Sequence, residues 1–397
     1  NSYVAEGVGE TNEPRNATLV TSAIAIVFVM LGNVDMVARI VSMFFMVTYG
    51  ALCAISFLEH FAARPSYRPS FRSKWYLSLL GAVMCLILML QMDLLFALGS
   101  ILVMASLYEG IRRSREGQAD LAQIFQGVMT QLTRHMHIRL QKMPLNDWRP
   151  SVISISSRTF DRSAPLQFLE WLCDRYGFGT YFHYIEGRLD QQNYEASREV
   201  RDRLIEVVHQ RKGAIYMDAV ISPSMTSALG QGLQMPGISG MSNNSLLLEF
   251  GRHDGPEVIE EVAGGMLMAS VPGMDRLVLR HGDNFFGARK SIHVWLTWHD
   301  PQNANLMILL SYILLGHKDW EGAEVSIFAA YPQAEVRDRR EEINEMISEG
   351  RLLISEKNVL VIPTDGTIDF ERLVEARSSE ADLVMIGFED SRLRLKG

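Results

Sequence analysis

Residues 42–72 read SMFFMVTYGALCAISFLEHFAARPSYRPSFR, a run without charge as far as Glu59 that then meets a loop studded with Arg64, Arg68 and Arg72. The same poverty of charge extends to both sides. From Ala17 to Glu59 the only charged side chains are Asp35, Arg39 and Glu59, and from Trp75 to Tyr108 there is only Asp93. Hydrocarbon offers no hydrogen-bond partners to the backbone, so charge-poor runs of about 20 residues, roughly 30 Å as helix, read as bilayer-spanning helices. Four spans are expected, at about 17–34, 36–61, 75–92 and 94–110, with polar corners at Gly32–Asp35 and Gln91–Asp93. The apolar content recurs instead of stopping before a cleavage site, which excludes a signal peptide. A soluble helical bundle is the bland alternative, but its helices would keep a polar face.

Cations set the orientation, because short loops rich in Lys and Arg stay on the cytoplasmic side. Arg64, Arg68, Arg72 and Lys74 follow the second span, and Arg112, Arg113 and Arg115 follow the fourth. If each span crosses once, both sets face the cytoplasm, together with the amino terminus and the large carboxy-terminal part. Cys53, Cys85 and Cys173 are too few and too scattered for a disulfide framework or a metal cluster, and imply a reducing compartment. The net charge of -8 makes nucleic acid an improbable partner, and the juxtamembrane arginines read as contacts with the lipid surface.

Beyond Arg115, residues 116–143 form a linker with Leu121, Ile124, Phe125, Val128, Met129, Leu132 and Met136 at helical spacing, an amphipathic helix that lies at the membrane surface or couples the spans to the carboxy-terminal part. His135 and His137 on it point in different directions and make a poor metal pair. From 144 to 397, strand-like runs (151–157, 180–186, 214–220, 245–250, 276–281, 292–298, 324–330 and 382–388) alternate with helical ones, predicting a mostly parallel sheet covered on both faces. About 250 residues is large for one sheet, so two halves divided near 281–290 are expected.

Doubly wound folds often hold nucleotides, yet no GxGxxG follows a strand and no GxxxxGK[ST] occurs. The glycine-containing loop MPGISGMSNNSLLLEF, residues 235–250, reads as a tight turn entering a strand. Asp300 lies near His293 and His299, but no serine or cysteine elbow accompanies them. No catalytic residue, cofactor or metal is expected, and the chain is read as a non-enzyme.

Several blocks, in order, resemble the cation-chloride cotransporter family of the amino acid, polyamine and organocation superfamily. NEPRN (12–16) is similar to the segment before its ninth transmembrane helix, and 42–72 to its tenth helix and following loop. In the 235–250 loop Gly237, Gly240, Met241 and Asn244 match, whereas Ser239, Ser242, Asn243 and Ser245 depart from the family's pattern. Residues 291–328 resemble a strand, turn, leucine-rich helix and strand through Val294, Trp295, Asp300, Leu309, Leu310, Tyr312, Leu315 and Trp320, and EADLVMIGF a late strand.

The resemblance implies a carboxy-terminal fragment of a prokaryotic-type member: the last four helices of a LeuT-type transporter, then a cytosolic α/β regulatory and dimerisation domain. It implies a multi-pass plasma-membrane protein, a homodimer, that carries chloride with potassium and/or sodium; the cation, the stoichiometry and the direction of flux stay open. Tyr49 aligns with the tyrosine that binds chloride in this family, a phenol O–H being a donor that brings no buried charge. By residue type alone, Tyr49 reads as helix packing, as do Phe44 and Phe45. Arg39 departs from the family's proline; it either snorkels to the interface or faces the outer vestibule. Glu59 and His60 are expected at the inner interface. Two other classes remain: an amino acid permease of the same superfamily, and a membrane-tethered nucleotide sensor like the universal stress proteins, for which Gly387 is a meagre phosphate loop.

Overall fold

A computed structural model describes residues 15–30, 34–63, 74–114, 120–143, 148–211, 215–238, 242–282, 285–297, 301–349, 356–364 and 369–388. The chain divides into two compact units, residues 1–139 and 140–397.

The first unit is helical: α1 (Arg15–Met30), α2 (Val34–Ala62), α3 (Trp75–Met92), α4 (Leu94–Ser114) and α5 (Asp120–Gln141). Among the described residues α2 and α3 are long and apolar enough to cross a bilayer, yet only 6% of the apolar stretch of each is buried. Apolar helices that a soluble core would bury thus present their side chains outward, the arrangement lipid requires. Of the four expected spans, two reach that length among the described residues, and the other two coincide with shorter apolar helices. Helix α1 has 16 residues, about 24 Å at 1.5 Å each, and the apolar part of α4 is confined to Leu94–Gly110. The loop carrying Arg64, Arg68 and Arg72, Arg115, and the corner at Gly32 and Asn33 lie outside the described residues.

Helices α2 and α3 cross closely because small residues meet there. A Cβ on Gly81 would stand 3.0 Å from Cys53 Sγ, and one on Gly50 would stand 3.2 Å from Cys85 Cβ. Without lipid–water contrast to drive association, such close backbone approach and interhelical hydrogen bonds hold spans together. Ser56 and Ser78 supply one, their hydroxyls 3.0 Å apart. Met43, Met89 and Ala97 form the small buried cluster that links α2, α3 and α4.

The second unit alternates strands and helices: β1 (Ser151–Ser156), α6 (Ala164–Cys173), β2 (Phe178–Glu186), α7 (Gln191–Arg211), β3 (Ile215–Ser222), α8 (Met225–Gln234), β4 (Ser245–Gly251), α9 (Pro256–Ser270), β5 (Asp275–His281), β6 (Ser291–Thr297), α10 (Pro301–Leu315), β7 (Glu324–Pro332), α11 (Val336–Glu349), β8 (Val359–Thr364), α12 (Phe370–Ser378) and β9 (Leu383–Ile386). The strands make two sheets, in order β3-β2-β1-β4-β5 and β8-β7-β6-β9, every pairing parallel. Strand β8 and helix α11 have no counterpart among the elements expected from sequence.

All six residues of β1 are buried, as a strand with helices on both faces requires. Its side chains alternate between two cores. Val152 joins Leu247 on one face, while Ile153 and Ile155 join Leu246 and Leu248 on the other. The first of these cores runs on without interruption into the second sheet through Ile292, Val294, Leu296 and Ile327, so the two sheets share one hydrophobic interior.

Candidate functional site

Tyr49 lies in α2, 58% exposed, stacked on Phe45 one turn earlier with ring centroids 6.4 Å apart. Among the described residues its hydroxyl has no hydrogen-bond partner. Arg39 does not stand alone: its guanidinium is 3.6 Å from Asp93. Asp93 also caps α4, accepting hydrogen bonds from the backbone N–H of Leu95 at 3.0 Å and of Phe96 at 3.3 Å. Sequence alone put Arg39 in the second span and Asp93 in the corner after the third; the helical hairpin brings them together. Glu59, expected at the interface, is buried instead, while His60 Nδ1 lies 2.7 Å from the Ser56 carbonyl. At the same end of the hairpin Phe57, Phe61, Trp75 and Tyr76 form an aromatic cluster, with Lys74 over the Tyr76 ring, the composition of a headgroup-level belt.

In the α/β unit, a parallel sheet binds ligands outside the carboxyl ends of its strands, at the point where strand order reverses. In the first sheet that point lies between β1 and β4. It is filled with charge. Arg162 donates to Asp254 at 2.5 and 2.6 Å and to Glu249 at 3.2 Å, and Arg158 donates to Asp254 at 2.8 Å. The Gly251 N–H also donates to Asp254 at 2.8 Å, and His281 Nε2 lies 3.0 Å from Glu249. What remains is a cavity of about 80 Å³, room for water but not for a nucleotide. Hydrogen bonding from Arg162 above all, against the opposing effect of burial, holds the Asp254 carboxyl well below the usual carboxylate range.

The described residues Asn243 and Asn244, which lead into β4, sit at the opposite end of the sheet. Asn244 Oδ1 accepts the Ser151 N–H at 2.9 Å and its Nδ2 donates to the Arg149 carbonyl at 2.6 Å, so it pins the start of β1 to the start of β4. Asn243 Nδ2 donates to the Met235 carbonyl at 3.4 Å. The work of this block is structural and lies away from the ligand end; Gly240, Met241 and Ser239 are outside the described residues.

In the second sheet the reversal falls between β6 and β9. Ser378, buried, accepts a hydrogen bond from Trp295 Nε1 at 2.9 Å and lies 2.9 Å from His293 Nδ1. Trp295 stacks on Phe328 at 4.7 Å. His293 thus serves packing; His299 and Asp300 are outside the described residues. Burial pushes the Cys173 thiol up to about 12, which keeps it protonated and without nucleophilic character at neutral pH.

Burial lowers the pKa of His293, and burial followed by the charge of Arg203 lowers that of His183, whose Nδ1 lies 2.7 Å from the Thr159 hydroxyl. A histidine depressed in the fold stabilises it fully above the unfolded value of about 6.5, and that contribution is lost as the pH falls toward the folded values, because the unfolded chain then binds more protons. The thermal midpoint of the α/β unit is therefore expected to fall between pH 7 and pH 5. His293→Gln and His183→Gln should each flatten the slope, by at most about 1.4 kcal/mol per pH unit. A pH series of melts checks this, and a flat wild-type profile would refute it.

With this geometry in place the likenesses to known proteins fall into order. Residues 3–141 match the model of the amino acid permease family. By that match about a third of the chain, at its amino-terminal end, is similar to the amino acid permease family. Among solved structures the chain is similar to the cytoplasmic domain of a prokaryotic cation chloride cotransporter, at 13% identity and a TM-score of 0.37 over 55% of this chain and 80% of that one. It is also similar to a universal stress protein from Archaeoglobus fulgidus DSM 4304, at 11% identity and a TM-score of 0.38 over 62% of this chain and 89% of that one.

Proposed function

We propose that this chain is the carboxy-terminal part of a secondary active transporter for cation-coupled chloride symport, moving chloride with potassium and/or sodium across the plasma membrane as a homodimer. Its α/β unit is the cytosolic regulatory and dimerisation domain. The observation that carries the reading is the permease-family match over residues 3–141, which runs directly into a parallel α/β unit. The cotransporter-like blocks at 42–72 and 291–328 narrow it to chloride. The salt-bridged crevice between β1 and β4 weighs against the nucleotide-sensor alternative, because Arg162 and Asp254 occupy the space a phosphate would need.

In this reading Tyr49 donates its hydroxyl to chloride. Tyr49→Phe keeps the ring and its stack on Phe45 while removing one hydrogen bond to an anion, worth about 1.5–3 kcal/mol. The chloride concentration for half-maximal flux is then expected to rise by about 10- to 100-fold in proteoliposomes of the full-length transporter, measured with radioactive chloride. An unchanged half-saturation removes Tyr49 from the ion path. The family match also favours a second reading, amino acid permeation. Chloride-independent amino acid uptake in the same vesicles would establish that reading in place of symport.

A further inference from the structure

Among the described residues, strands β5 and β9 end the two sheets, and each is paired on one side only. They line the same cavity, of about 600 Å³. Every residue from 275 to 281 and every residue from 382 to 388 contributes to its wall. Side chains of a strand alternate between faces, so a cavity against a face would be lined by every second residue. An unbroken run on both walls means that the two strands present to one slot the edges that no described strand pairs with.

A strand residue inside a sheeted protein fills roughly 3.3 Å along the strand, 4.8 Å across it and 10 Å through the layer, about 160 Å³. The cavity therefore holds about four strand residues, and β9 is 4 residues long. Leu277 and Leu279 of β5 and Leu383 and Met385 of β9 all belong to the shared core, so one face of whatever enters the slot rests on apolar side chains.

The other face is mixed, with Val384 and Ile386 on β9 and arginines on β5. Arg276 and Arg280 flank Val278 on β5. Arg280 is exposed and has no ion-pair partner among the described residues. The acidic groups of the wall are already engaged: Asp275 accepts from Trp148 Nε1 at 2.8 Å, and Asp382 accepts the N–H groups of Lys290, Ala288 and Ser291 at 2.7, 2.8 and 3.0 Å. Those backbone donors overcome the effect of burial and hold the Asp382 carboxyl below its ordinary range. Opposite charges facing each other across neighbouring strands stabilise a pairing, and like charges oppose it.

We propose that this slot is a strand-addition site for an extended segment of a partner protein in which apolar residues alternate with acidic ones. Main-chain hydrogen bonds to β5 and β9 supply affinity, the apolar residues rest on the shared core, and Arg280 selects the acidic positions. Bound, the segment joins the two sheets edge to edge and makes the α/β unit responsive to that partner.

The test uses the full chain in lipid nanodiscs and three fluorescein-labelled peptides: acetyl-Val-Glu-Val-Glu-Val-Glu-amide, its lysine counterpart, and a version with proline in place of the central valine. Saturable binding of the glutamate peptide is expected, with affinity at least about tenfold lower for the lysine and proline peptides. Arg280→Glu should weaken the glutamate peptide about tenfold and Arg280→Gln less, both without shifting the thermal midpoint. Equal affinity for all three peptides, or no saturable binding, overturns the proposal. So does a disulfide joining two copies through a Val278→Cys variant, because the slot then belongs to a second copy of the chain.

Discussion

Arg162→Leu is expected to destabilise the α/β unit by about 3–5 kcal/mol, the cost of removing one partner from a buried ion pair and leaving the other charged. The side chains of Asp254 and Glu249 are each 6% exposed, so neither carboxylate recovers water when the guanidinium goes. Arg158 is 43% exposed and among the described residues pairs with Asp254 and not Glu249, so Glu249 keeps His281 and the Ser156 hydroxyl as its described polar partners. For a unit of this size each kcal/mol moves the midpoint by about 2–4 °C, so a fall on the order of 10 °C is expected in melts of the detergent-solubilised protein. Adding Asp254→Asn and Glu249→Gln to Arg162→Leu should recover much of the loss, because uncharged amides tolerate burial better than unpaired carboxylates. A loss below about 1 kcal/mol would mean that water reaches the network, and would reopen the crevice to a ligand. The same substitution also bears on function: if a nucleotide bound there, Arg162→Leu would abolish that binding.

Elements were legible in the sequence where the physics that forms them is local. Strands β1, β4, β6 and β7 read as apolar runs because parallel strands are buried on both faces, and their bounds fall within two residues of the expected ones. Strand β8 escaped because it is an edge strand: Leu360 is exposed, and Pro363 interrupts the apolar pattern. Helix α11 escaped because VRDRREEINEMISE buries only Ile343 among its described side chains, leaving no apolar stripe to see. The apolar helices were visible because their charge poverty extends over every turn; their ends were less so, since α1 stops at Met30 and α4 continues to Ser114.

The polar constellations were out of reach for a different reason. Arg162 and Asp254 are 92 positions apart, and Ser378 and His293 are 85 apart. Each meets its partner only after a parallel sheet has folded, because a parallel pairing needs a long crossover between adjacent strands. Arg39 carries the same lesson. Alone it reads as a cation seeking the interface, and its tie to Asp93 depends on the hairpin of α2 and α3 closing through Gly50 and Gly81.

Trp171→Ala should be the most damaging single truncation in the α/β unit, and it should change the form of unfolding as well as its midpoint. Trp171 belongs to α6 of the first sheet, and its ring makes edge contacts with Phe286 at 4.7 Å and with Trp320 of the second half at 5.4 Å. Its Nε1 donates to Asp319 at 3.0 Å, and the Arg289 guanidinium lies 6.0 Å from the ring centre. Phe286 in turn stacks on Phe168, in a connection where Gly287 takes φ +47 with the Asp382 carboxylate against the place a Cβ would need. Truncating a buried tryptophan costs about 3–5 kcal/mol, the lost burial plus the cavity left behind. Here most of that loss falls on contacts between the halves. The wild-type unit is expected to unfold in one transition, and Trp171→Ala in two, with amide exchange accelerating first in β6 to β9. Trp171→Phe keeps a ring against Phe286 and Trp320 but loses the bond to Asp319, so it should cost about 1–1.5 kcal/mol and preserve the single transition. Were Trp171→Ala to unfold in one step with a loss under about 1 kcal/mol, coupling between the sheets would have to reside in α6 and α10 packing instead, and the aromatic cluster would be filling rather than joint.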